Sequence, residues 1–125
     1  MISRQVRGVD FDKLFASIDK MDTESFVGFL SQDCTFRFGS APAVSGHEAI
    51  AAAVGGFFAS IADLSHDIQR VISADDCIAV EGNVTYTRHD GSEITLPFCN
   101  MFVANSGRIS VYRIYIDVAP LFAGS

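Results

Sequence analysis

The hydrophobic pattern of this chain changes period once, and that change limits its fold more than any other feature. Through most of the first half, apolar residues recur every three or four positions, the spacing of one helix face; from Ser65 onward they alternate, the spacing of a half-buried strand. Asp10 is placed to cap a helix whose apolar face is Phe11, Leu14, Phe15 and Ile18. A short second helix is expected from Asp22-Thr23, carrying Phe26, Val27, Phe29 and Leu30. Cys34 to Phe38 reads as a strand with Phe36 and Phe38 on one side, and Asp33 before it as a cap or turn residue. Gly39 to Gly46 reads as a loop. Ser45-Gly46-His47-Glu48 then has the spacing of a capping box, opening a third helix with Ile50, Val54, Phe57, Phe58 and Ile61 on one stripe.

In the second half, Ile78, Val80, Val84 and Tyr86 share one strand face, opposite Glu81, Asn83, Thr85 and Thr87. Asp90-Gly91 is a hairpin signal, and the return strand puts Leu96, Phe98, Asn100 and Phe102 on one face. A second turn at Asn105-Ser106-Gly107 leads into a last strand, Arg108 to Asp117. There Tyr112, Ile114 and Ile116 alternate with Val111, Arg113, Tyr115 and Asp117. Helices followed by a run of antiparallel strands make an α+β domain. The length, 125 residues, fits a single domain spanning 1–125.

If the apolar strand faces coincide, they form one wall with Phe36 and Phe38, and the third helix lays Phe57 and Phe58 against it. Hydrophobic residues are 49% of the chain and charged residues 19%, more apolar than a solvated surface needs, so a lined cavity, a buried interface or both is expected. The net charge of −6, with no basic cluster, argues against nucleic acid and against an anionic membrane surface. No apolar run is long enough to span a bilayer. Met1 to Gln5 shows no leader-like apolar core behind it, and the three cysteines, Cys34, Cys77 and Cys99, have no CxxC spacing. A cytoplasmic protein is expected, without a disulfide framework, metal or cofactor.

Polar groups on an apolar face identify a candidate site. His66 near the start of the alternating region has the side chain best suited to proton transfer near neutral pH. Asn100, or the hydroxyls of Tyr86 and Tyr112, could position a ligand, with Phe36, Phe38, Phe57, Val84, Leu96, Phe98, Ile114 and Ile116 as further wall. Asn100 could equally serve a bulge beside Pro97, and the tyrosines read as wall before catalyst. Gly82 marks either a bulge or space for a ligand. His47 and His89 are expected to be solvated. On the opposite face Arg113, Tyr115 and Asp117 form a polar row, read as a homodimer interface together with Asn83 and Thr85.

The order of elements resembles the SnoaL-like branch of the nuclear transport factor 2-like superfamily. The resemblance is carried by Gly46-His47-Glu48-Ala49-Ile50, the run Val84 to Gly91, Leu96-Pro97-Phe98 and the ending Gly107-Arg108-Ile109 with Tyr112 to Asp117. It implies a cone in which three helices wrap a strongly curved, mostly antiparallel sheet around a pocket, commonly dimeric through the sheet. Relatives include ketosteroid isomerases, polyketide cyclases, limonene epoxide hydrolases, dehydratases and binding domains. The epoxide hydrolases' catalytic Asp falls at Ile114, their Arg and partner Asp at Gly82 and Val84, and their water-holding Tyr and Asn at Phe36 and Phe38. The ketosteroid isomerases' general base falls near Phe38. Neither mechanism has its groups here. The expectation is a pocket for a small apolar, cyclic ligand, either a cofactor-independent isomerase, cyclase or dehydratase using His66, or a non-catalytic ligand-binding or dimerisation domain.

Overall fold

The structure, a computed structural model, describes residues 5–123. Met1 to Arg4, which open the segment read above for a leader, lie outside the described residues. A small hairpin, β1 (Gln5–Val6) and β2 (Val9–Asp10), leads into α1 (Phe11–Asp19). Asp10 caps α1 as its sequence position implies, its carboxylate accepting from Lys13 N at 3.1 Å. The stripe Phe11, Leu14, Phe15 and Ile18 is buried. Asp22 caps α2 (Thr23–Val27) in the same way. This helix is shorter than expected: Phe29 lies beyond it and Leu30 opens β3 (Leu30–Phe38), which also takes in Asp33.

The expected capping box does not form. Ser45 is held in β4 (Val44–Ser45), paired to Thr35 of β3, so Gly46 becomes the N-cap of α3 (His47–Ala59), with no side-chain cap. Its φ of 89° suits glycine. Ile50, Val54 and Phe58 of α3 are buried, and Ile61 is buried just past the helix end. The four long strands follow: β5 (Asp63–Ala74), β6 (Cys77–Thr87), β7 (Glu93–Asn105) and β8 (Arg108–Tyr115). The last strand ends two residues earlier than read, leaving Ile116 and Asp117 to lead into α4 (Ala119–Phe122).

The main sheet has six strands in the order β4-β3-β8-β7-β6-β5, antiparallel except for β3 beside β8. The registers place Val84 opposite Leu96, Gly82 opposite Phe98, Asn100 opposite Val80 and Ile114, and Phe36 opposite Tyr112. The apolar strand faces therefore do coincide, and the helices bury that side. Asn100 sits in regular pairing, so it does not serve a bulge beside Pro97.

Gly82 serves the bulge, not a space. Gly82 pairs with Ile68 and Glu81 with Arg70, which leaves Gln69 as the extra residue of β5. At this point the β5 backbone crosses so close that a Cβ on Gly82 would collide with the carbonyl oxygen of Asp67. Gly82→Ala is therefore expected to destabilise the fold by about 2 kcal/mol or more, measured by urea denaturation. A variant as stable as the parent would show that β5 can retreat freely.

Candidate functional site

The curved sheet and the helices line a partly open cavity of about 220 Å³. His66 and Asn100 line it, as do nine of the wall residues expected from the sequence: Phe36, Phe38, Phe57, Val84, Tyr86, Phe98, Tyr112, Ile114 and Ile116. Leu96 does not: it is buried beside Val84 but contributes to the core rather than the wall. Further wall comes from Ile18, Phe26, Ala41, Ala53, Val54, Phe58 and Leu64. Helix side chains at i, i+3 and i+4 share a face, so Val54, Phe57 and Phe58 of α3 arrive at the cavity together. Phe57 packs its ring against Phe38 at 4.8 Å and Tyr86 at 5.6 Å between centroids.

The polar chemistry lies on the sheet wall. His66 stands on β5 with its ring edge-on to Phe15 and Phe98, at centroid distances of 4.9 and 5.2 Å. Its Nδ1 is 2.6 Å from Asp19 Oδ1, and its backbone N–H donates to Asp19 Oδ2 at 3.1 Å. A carboxylate can only accept, so Nδ1 carries the proton and a neutral ring keeps its lone pair on Nε2. Both carboxylate oxygens thus fix one residue, in position and in tautomer. The side chain of His66 is 10% exposed and that of Asp19 30%.

No motif in the sequence singles out Asp19. It closes α1 one turn after Phe15, so the two side chains reach the same imidazole. The available signal was its position: a carboxylate in the last turn of a helix faces the negative end of the helix dipole, and this turn holds no basic residue. Of the other two histidines, His89 is exposed as expected, whereas His47 is half-buried. His47 Nε2 lies 2.9 Å from the Leu30 carbonyl oxygen, and His89 Nε2 lies 2.9 Å from that of Ala59. Both therefore make backbone contacts away from the cavity wall.

Asn100 is 2% exposed, and its Oδ1 is buried without a hydrogen-bond partner, the only such side-chain atom among the described residues. An unsatisfied buried acceptor of this kind costs about 1–3 kcal/mol. Burial raises the acidities' thresholds of the neighbouring hydroxyls: the pKa values of Tyr86 and Tyr112 are pushed up, so both phenols stay protonated. Burial, then the charge of Asp33, pushes the Cys34 thiol up to about 12. No cluster of His, Cys, Asp or Glu suited to a metal ion occurs among the described residues. No helix there is long and apolar enough to cross a membrane.

Set against known proteins, residues 11–112 match the family model of the SnoaL-like domain. The chain belongs to that family, and its fold is nuclear transport factor 2-like. No curated protein matches it in sequence. Among solved structures it resembles an uncharacterised protein of ketosteroid isomerase-like fold from Catenulispora acidiphila, in complex with trimethylamine; the TM-score is 0.83, the identity 14%, and 92% of this chain and 90% of that one are covered. A protein described as a candidate SnoaL-like polyketide cyclase from a Jannaschia species gives a TM-score of 0.77 at 18% identity, covering 89% and 85%. An LEH-like epoxide hydrolase of M. tuberculosis gives 0.74 at 17%, covering 91% and 84%. These likenesses show the fold.

The raised thresholds of Cys34, Tyr86 and Tyr112 fix the sign of an alkaline effect. The folded state holds these protons more tightly than the unfolded chain, whose thiol titrates near 9.0. Their contribution to stability is complete below that pH and is lost as pH rises through the folded-state value near 12. Urea midpoints are expected to stay level between about pH 7 and 8.5 and then fall, less steeply in Cys34→Ala. A Cys34→Ala slope identical to that of the parent would remove the thiol from this account.

Proposed function

We propose that the cavity binds a small, largely apolar, cyclic molecule and that His66, oriented by Asp19, acts on it as a general acid and base without a cofactor. The observation that supports this most is the paired contact of His66 with Asp19 at the cavity wall, 2.6 Å at Nδ1, which leaves Nε2 as the proton acceptor. An imidazole with one nitrogen fixed by a carboxylate and the other available is suited to taking a proton from a ligand and returning it elsewhere. Isomerisation, cyclisation and dehydration all need that exchange. The Tyr86 and Tyr112 hydroxyls, both protonated, would donate to the oxygen on which charge gathers, and Asn100 would position a ligand hydroxyl.

A panel of cyclic enones and polyketide-like ketones tests this. His66→Ala should lower turnover roughly 10²- to 10⁴-fold, while ligand still binds. Asp19 is a positioning residue, so Asp19→Asn should lower kcat more than it raises KM and displace the pH profile, with partial recovery in Asp19→Glu. Turnover unchanged in His66→Ala would defeat the catalytic reading. A second reading, a binding domain without catalysis, draws support from the apolar residues at the positions noted for the related enzymes: Phe36, Phe38, Gly82, Val84 and Ile114.

We also propose that two copies associate through the outer sheet face. Arg113 is exposed there and Tyr115 is 54% exposed, a large aromatic surface for a solvated strand, while Asp117, read as part of the same row, lies past the strand end and accepts from Ala119 N. Sedimentation should give a dimer, and Tyr115→Glu should shift it toward monomer; a parent protein that is monomeric at micromolar concentration refutes the interface. The three unpaired thiols Cys34, Cys77 and Cys99 fit a reducing, cytoplasmic setting.

A further inference from the structure

Asn100 is the one place where the cavity wall is chemically incomplete. The residue pairs regularly with Val80 and Ile114, so nothing in the strand geometry requires an amide there. A leucine of similar size would fit the apolar face without a stranded acceptor, yet Oδ1 is buried and unpartnered. A ligand that brings a hydrogen-bond donor to this amide completes the wall.

Charge and volume narrow the class of ligand. No Lys, Arg, Asp or Glu lines the cavity, and the Asp19 carboxylate is engaged by His66. An anion entering would lose its hydration without gaining a countercharge. The volume of about 220 Å³ exceeds the roughly 150 Å³ of an engineered cavity that admits benzene and falls below the ~300 Å³ where drug-sized pockets begin. One ring with short substituents fits that interval.

We infer that the cavity selects a neutral, single-ring hydroxy compound, a phenol, enol or cyclic alcohol, whose hydroxyl donates to Asn100. This names the ligand class of the site proposed above and rests on the cavity being a ligand site, but it does not require chemistry at His66.

The test uses the full chain and three probes of nearly equal shape: p-cresol, 4-methylanisole and 4-methylbenzoate, titrated by NMR. In the parent protein p-cresol should bind about ten-fold more tightly than 4-methylanisole, equivalent to ~1.4 kcal/mol, and 4-methylbenzoate should bind most weakly. In Asn100→Leu the two neutral probes should bind within about two-fold of each other, and the thermal midpoint should equal or exceed that of the parent, because the stranded acceptor is gone. Equal binding of the two neutral probes to the parent overturns the inference, as does tightest binding of the benzoate. A cresol preference that survives in Asn100→Leu overturns it too, as does a lowered midpoint, which would give the amide a structural duty. Failure of all three probes to bind removes the ligand site itself, whereas binding without a cresol preference removes only the role of Asn100. Loss of the acid–base reading shows instead as turnover that ignores His66.

Discussion

Between Ile68 and Arg70 the edge strand β5 carries one residue more than the strand beside it, and Gly82 lets the two backbones draw together at that point. The extra residue changes which side chains face inward. Leu64, His66 and Ile68 alternate toward the helices, but beyond the bulge the inward position passes to Val71, while Arg70 and Ile72 turn outward. Strict alternation would have carried Arg70 toward the core. A bulge also bends its strand and adds twist. The inward set Leu64, His66 and Ile68 therefore lies on the segment that meets α1, and His66 faces both the cavity and the end of that helix.

The sheet and the first helix were legible because their patterns are local. Phe11, Leu14, Phe15 and Ile18 mark a helix face within nine residues, and the alternation through β6, β7 and β8 is regular enough to assign each inward side chain. Two tight turns then fix how those strands pair. Five of the expected wall residues, Val84, Tyr86, Phe98, Tyr112 and Ile114, line the cavity for that reason. Where tertiary pairing competed with a local motif, the local motif lost: Ser45 has the right neighbours for a capping box, but pairing with Thr35 holds it in a strand. Leu30 likewise extends the helical pattern of Phe26 but is taken by β3, next to Ile109.

The site was half legible. His66 could be singled out as a histidine on an alternating apolar strand. Asp19 could not be joined to it, because the two are 47 positions apart and meet only when α1 docks on β5. Helix periodicity says which face of α1 is buried; it does not say which strand that face will meet. Asn100 was visible as a polar residue among Leu96, Phe98 and Phe102, yet only the regular register on both sides of it separates a cavity residue from one that serves a bulge.

The contact between Asp19 and the His66 backbone has a consequence apart from the imidazole. β5 closes one side of the sheet, and an edge strand of this length is a place where another chain could add itself. The His66 amide is bonded to Asp19 Oδ2, so the edge is interrupted near its start. The bulge at Gln69 interrupts it again three residues later. One carboxylate thereby links the orientation of the imidazole to the protection of an open sheet edge. Substitution at Asp19 would be constrained by self-association whatever the imidazole does in the cavity.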